Sequence, residues 1–216
     1  LQKLVSDRAA GQPVMGGLLG LEGMQPIENE LGAVDLLFQA GARMGGLAHF
    51  FDNEVAGSAH GEQKYGLTEL GRKVIKRMET LNMIVDLAHA SPAAIEDVLD
   101  MATRPVVVSH TGVKGTCGGN RNLSDAQLIR LKQNGALIGI GYFEGAVCGK
   151  SPEKIADAMI YAINLIGVEH IALGSDFDGA VSTGFDTSGV GMVSDALRAR
   201  GLTDDDIAKV MGLNAQ

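Results

Sequence analysis

The chain of 216 residues has no tryptophan, and aromatic residues make up only 4% of it. Its core must therefore be built from aliphatic side chains. Two cysteines, Cys117 and Cys148, are too few for a thiolate zinc site or a disulfide scaffold. No run of Lys or Arg is present, and a net charge of −8 gives nothing to neutralise phosphates, which argues against a nucleic-acid partner. The longest apolar stretches are interrupted by Gly or a charge well short of the roughly 20 residues of a membrane span. The first residues lack the n-region and h-region of a signal peptide, but the chain starts at Leu rather than Met, so that lack excludes nothing upstream. No internal repeat, low-complexity tract or linker divides residues 1–216, which read as a single domain.

What is present is alternation. Apolar runs Val14–Leu21, Met44–Ala48, Met83–Leu87, Val106–Val108, Leu137–Phe143 and His170–Leu173 read as six strands. Amphipathic segments separate most of them. The spacing predicts helices over 27–43 and 67–82, and a terminal one over 2–9. Ser91–Pro92 and Ser151–Pro152 supply an N-cap and an N1 proline for two more, the second closed by Gly167. Ser124 with Gln127 forms a capping box for a helix ending at Gly135. Regular βα alternation predicts a parallel sheet with right-handed crossovers, either an open doubly wound sheet or a (β/α)8 barrel.

Ionisable residues recur at the same place in this pattern. Glu22, His49, His89, His110 and Asp176 each follow the C-terminal end of a strand, the edge where parallel α/β folds carry their chemistry. Imidazoles and carboxylates without paired thiolates suit zinc or another divalent ion that activates water. Five such groups on one rim would repel or dehydrate one another unless a cation held them. His60, in a polar loop, reads as a solvated side chain, and His170 begins a strand at the wrong end for the site. Asn120, Asn122 and Asp178 read as turn or loop-fixing residues.

The segments GLEG, DLAHAS, PVVVSH, NRN and GSDFDG, in this order, resemble the membrane (renal) dipeptidase family of zinc peptidases, related to the amidohydrolase superfamily. The resemblance covers essentially the whole chain. It implies a (β/α)8 TIM barrel, here lacking its first two βα units and its extreme C-terminus, and a binuclear zinc centre. The implied reaction is dipeptide hydrolysis by a metal-bound hydroxide, with a D-residue tolerated at the C-terminal position. By position, Glu22 resembles the carboxylate bridging two zincs, and His89 and His110 the remaining ligands of one of them. His49 resembles the histidine that polarises the scissile carbonyl. Arg121 resembles the arginine gripping the substrate carboxylate, and Asp176 the acid that handles the proton of the water. The family's His-x-Asp pair, which ligates the other zinc, has no counterpart in this chain. The open alternatives are another metal-dependent amidohydrolase and an inactive barrel fragment serving as a binding module.

Cys117 and Cys148 match a cysteine pair that is bonded in animal members. A bridge there would imply an oxidising compartment, periplasmic or extracellular, and stabilise by about 3 to 4 kcal/mol in the chain-entropy picture. A dipeptide is the implied partner, and a homodimer is left open.

Overall fold

The computed structural model describes residues 2–216. After α1 (Gln2–Ala9) the chain runs through β1 (Leu19–Leu21), α2 (Ala33–Gln39), β2 (Ala42–Gly46), α3 (Glu69–Thr80), β3 (Ile84–Asp86), α4 (Pro92–Met101) and β4 (Val107–Thr111). It continues with α5 (Asp125–Asn134), β5 (Leu137–Ile140), α6 (Glu144–Val147), α7 (Pro152–Ile166), β6 (Ile171–Leu173), α8 (Gly191–Ala199) and α9 (Asp204–Met211). All five strand pairings are parallel, in the order β1 to β6 without a reversal. A doubly wound sheet reverses its order at a switch point, so sequential order is the winding of a β/α barrel.

The sheet also curves. Laid flat, six strands spaced about 4.8 Å apart would separate β1 from β6 by about 24 Å. Yet Glu22, beyond β1, and Asp176, beyond β6, place ligand atoms within 4.8 Å of each other and of His110. The strands therefore wrap around the rim that carries the ionisable residues. Close approach of three of them depends on glycine. A Cβ at Gly139 would collide with the Ser109 carbonyl oxygen, and one at Gly174 would lie 2.6 Å from that oxygen.

Local signals set the helix starts. The Ser91, Ser124 and Ser151 hydroxyls accept from the backbone N–H three residues on, and the Ser124–Gln127 capping box is complete. Gly135 ends α5 in the left-handed conformation at φ 82°. Outer helices pack apolar faces on the sheet: Val74, Ile75 and Met78 of α3, and Ile155, Met159, Ala162 and Ile166 of α7, are buried. No described helix is long and apolar enough to cross a membrane.

Four expectations need correction. The strand expected over Val14–Leu21 is only Leu19–Leu21 and is not buried: Met15 is 96% exposed and Leu19 59%. β1 pairs on one side alone among the described residues, so its apolar run has nothing to pack against. The helix expected over 27–43 is broken by left-handed Glu28 and Asn29 and is regular only in α2. β2 begins two residues earlier than Met44 and ends at Gly46, which leaves His49 in the following turn. β5 stops at Ile140, because the chain then bends to bury Tyr142 and start α6. Helix α8 was not anticipated, and Thr203 caps α9 with three aspartates in its first turn.

Candidate active site

The histidine-bearing turns are held by their own backbone. Beyond β3, His89 is left-handed at φ 62°, and Ala59 N–H donates to its carbonyl at 2.7 Å. Asp52 accepts from Ser58 N–H (2.8 Å) and Gln63 N–H (2.8 Å), which folds the polar loop after β2 over the site. The Ser58 hydroxyl donates to the His49 carbonyl. His110 sits within β4, at the point where its pairing with β5 becomes irregular.

Three side-chain atoms converge there. His89 Nε2 and His110 Nε2 face each other at 2.9 Å, and Glu22 Oε1 lies 3.0 Å from the first and 3.3 Å from the second. His49 Nε2 is 3.5 Å from Glu22 Oε2. Glu22 thus joins two groups, one with His49 and His89 and one with His110 and Asp176, in each of which the ligand atoms lie within 4.8 Å.

The protonation states follow from burial and neighbours. The hydrogen bond with His89, helped by the nearby imidazoles and opposed by burial, holds the Glu22 carboxyl down to about 2. Burial pushes His89 down to about 4, against the pull of Glu22. Burial, with the Arg121 charge and His89 adding to it, pushes His110 down to about 3. At neutral pH His89 and His110 are neutral imidazoles beside a carboxylate, so their contacts with Glu22 are not ion pairs. Neutral imidazole nitrogens and a carboxylate oxygen, converging within 3.3 Å, are a donor set suited to a divalent transition metal. His89 Nδ1 is buried without a hydrogen-bond partner. These residues fit a metal.

Asp176, left-handed at φ 59°, is raised to about 6 by burial, then by Glu22 and Asp178, with Arg121 opposing. Arg121 lies in the loop after β4. The Cys117–Cys148 disulfide, closing 31 positions, ties that loop to the C-terminal end of α6. Asn122, buried, reinforces the tie: its Nδ2 donates to the carbonyls of Cys117 (2.8 Å) and Gly145 (3.1 Å). Arg121 Nη2 donates to the His110 carbonyl at 2.8 Å. No carboxylate among the described residues pairs with this guanidinium, and burial pulls it down to about 10.

Glu22, His49, His89, Arg121 and Asp176 line one cavity of about 320 Å³, walled by Phe50, Phe143 and Val181. His110 lines the adjoining cavity with Glu22 and Asp176, so the residues singled out on the rim gather around Glu22. His60 is exposed, as expected of a loop residue, and also stands at the cavity edge, its ring centroid 5.0 Å from Phe50 and 5.3 Å from His89. Only the folding of the polar loop over the site puts it there. His170 lies apart, its Nδ1 bonded to the Ala136 carbonyl at 2.9 Å.

A barrel-wound parallel sheet with a His/carboxylate cluster at its C-terminal rim defines a class, the β/α-barrel proteins built to hold metal. Comparison with known proteins narrows it: the family model for membrane dipeptidases, peptidase family M19, matches residues 3–216, and the chain belongs to that family. It is 35% identical over 207 residues to dipeptidase tcpJ of Claviceps purpurea (strain 20.1), covering 91% of this chain and 48% of that protein. To dipeptidase verJ of Clonostachys rogersoniana it is 33% identical over 207 residues, covering 93% and 53%. The chain thus spans about half the length of the curated relatives it matches. A crystal structure of a Rhodobacter sphaeroides metallopeptidase, liganded with a phosphinate mimic of the dipeptide L-Ala-D-Ala, superposes with a TM-score of 0.86. It is 25% identical, and the match covers 99% of this chain and 65% of that one. The probable dipeptidase PvdM of Pseudomonas aeruginosa shares the fold, with a TM-score of 0.87 at 21% identity over 99% of this chain and 70% of that one.

Proposed function

We propose that the protein is a zinc-dependent dipeptidase and that this chain carries most of its active site. One observation supports this above the others. One cavity is lined by Glu22 and His89, which converge with His110 behind its wall, and by the part-buried Arg121 guanidinium, which no carboxylate among the described residues approaches within ion-pair distance. A cation of that kind, facing a small cavity, suits a ligand that brings its own carboxylate. The Rhodobacter relative, bound to a dipeptide mimic, supports the same substrate class.

Glu22, His89 and His110 would hold the metal. A bound zinc supplies Lewis acidity and activates water at neutral pH. Arg121 would take the C-terminal carboxylate through its planar fork and so fix the register of the scissile bond. His49, at the cavity wall beside Glu22, would donate to the carbonyl oxygen as negative charge develops on it. Asp176, raised to about 6, can accept a proton near neutral pH and return it to the leaving amine. Phe50, Phe143 and Val181 would exclude bulk water around these groups. The disulfide supports an oxidising compartment.

The test is hydrolysis of L-Ala-D-Ala and of L,L-dipeptides by the full-length protein. Turnover that a chelator abolishes and zinc restores is expected. No turnover with any divalent metal, or turnover indifferent to chelation, would overturn the reading.

A further inference from the structure

Asp86 lies under the metal-binding rim and is assigned no role by the chemistry above. It is the last residue of β3, only 5% exposed, and its carboxylate has no ion-pair partner among the described residues. Its Oδ1 accepts from the Ala88 N–H at 3.0 Å and the Ser109 N–H at 2.9 Å. Its Oδ2 accepts from the Ser109 hydroxyl at 2.5 Å. The same hydroxyl oxygen lies 3.0 Å from His110 Nδ1. We infer that Asp86 is a positioning residue which, through Ser109, holds His110 in the tautomer that leaves Nε2 free to bind metal.

Burial raises the Asp86 carboxyl, two backbone N–H groups donating to Oδ1 favour its ionised form, and a carboxylate can only accept, whereas Ser109 has one hydroxyl hydrogen to give. When that hydrogen points to Asp86 Oδ2, the serine oxygen can only accept from His110, so the imidazole proton sits on Nδ1. Nε2, 2.9 Å from His89 Nε2, is then a bare lone pair. Reversing any link reverses the outcome. An asparagine at 86 would turn its NH2 toward Ser109, the serine hydrogen would turn to Nδ1, and the histidine proton would move to Nε2. Groups that orient a ligating histidine in this way typically change metal affinity 10- to 100-fold. Asp86 has a second effect: β3 and β4 share one register pair, Asp86↔Val107, and its bonds to Ser109 continue that contact to the rim.

This inference rests on the reading of His110 as a metal ligand, but its test does not need dipeptide turnover. In the full-length protein, zinc affinity is measured by competition with a chelating dye, and the His110 tautomer by ¹⁵N NMR of the zinc-free form. Wild type is expected to carry its proton on Nδ1. Asp86→Asn should move it to Nε2 and weaken zinc binding 10- to 100-fold. Ser109→Ala, which only interrupts the relay, should weaken it less, and Ser109→Thr, which keeps the hydroxyl and has the adjoining cavity for its methyl group, should restore it. Either of two results overturns the inference: a wild-type proton on Nε2, or zinc affinity within twofold of wild type in Asp86→Asn whatever its thermal stability. Absence of dipeptidase activity in the zinc-loaded wild type, with these affinities as expected, would count against the proposed reaction and leave the relay standing.

Discussion

Replacing Arg121 separates substrate binding from folding. Burial pulls its guanidinium from 12.5 to about 10, a pull that the charges of Asp86, Asp176 and Glu22 offset only in part. A dipeptide carboxylate would supply the missing charge. Truncating one member of a buried charge pair costs about 2 to 5 kcal/mol, so Arg121→Ala should lower kcat/KM for dipeptides about 30-fold to several thousand-fold. Most of the loss should fall on KM, because the carboxylate is bound in ground and transition states alike. Arg121→Lys keeps the charge and loses the fork, and should fall between. The control is a dipeptide amide, which has no carboxylate. Wild type should hydrolyse it poorly, and Arg121→Ala should reduce it no further. Stability should change far less, because Arg121→Met forfeits one hydrogen bond to the His110 carbonyl, worth about 1 kcal/mol, and the attraction of nearby carboxylates, while it relieves the dehydration of the guanidinium. A dipeptide-to-amide preference unchanged in Arg121→Ala would refute the reasoning.

Removing the Cys117–Cys148 bond by Cys148→Ser should cost about 3 to 4 kcal/mol in denaturant unfolding and, by loosening the Arg121 loop, raise KM more than it lowers kcat. Gly139→Ala, which forces a methyl group against the Ser109 carbonyl, should destabilise by about 1 to 3 kcal/mol and weaken zinc binding through the displaced His110. Asp176→Asn should abolish turnover while stabilising the metal-free protein. The folded carboxyl is raised to about 6 from 3.8, so its ionised form opposes folding. The gain should be fully present above about pH 6 and vanish as pH falls below 3.8, which urea midpoints across that range would show.

How far the sequence could be read depended on the range of the interactions. Starts of α4, α5 and α7 were legible because Ser91, Ser124 and Ser151 act on backbone groups three residues away. The rim residues were legible because each follows an apolar run. Strand limits were less so. Val14–Leu21 has the composition of a buried strand, and only the absence of a partner beyond β1 leaves Leu18 and Leu19 exposed. His60 and Asp86 were not legible as site residues. The first reaches the cavity through a loop folded by Asp52, and the second reaches His110 through the Ser109 hydroxyl on the neighbouring strand.

The backbone carries the same message as the side chains. Two site residues, His89 and Asp176, hold left-handed conformations that non-glycine residues adopt at some energetic cost. Each falls directly after a strand, where a glycine would relax the turn but remove the ligand or the acid. Burial adds a second cost to the same two positions, lowering His89 and raising Asp176, so that neither takes its ordinary charge readily. A fold selected for stability alone would retain neither feature. Their coincidence beyond the inner strand β3 and the edge strand β6 of a curved sheet, around Glu22, fits a rim whose strain is offset when a metal supplies positive charge.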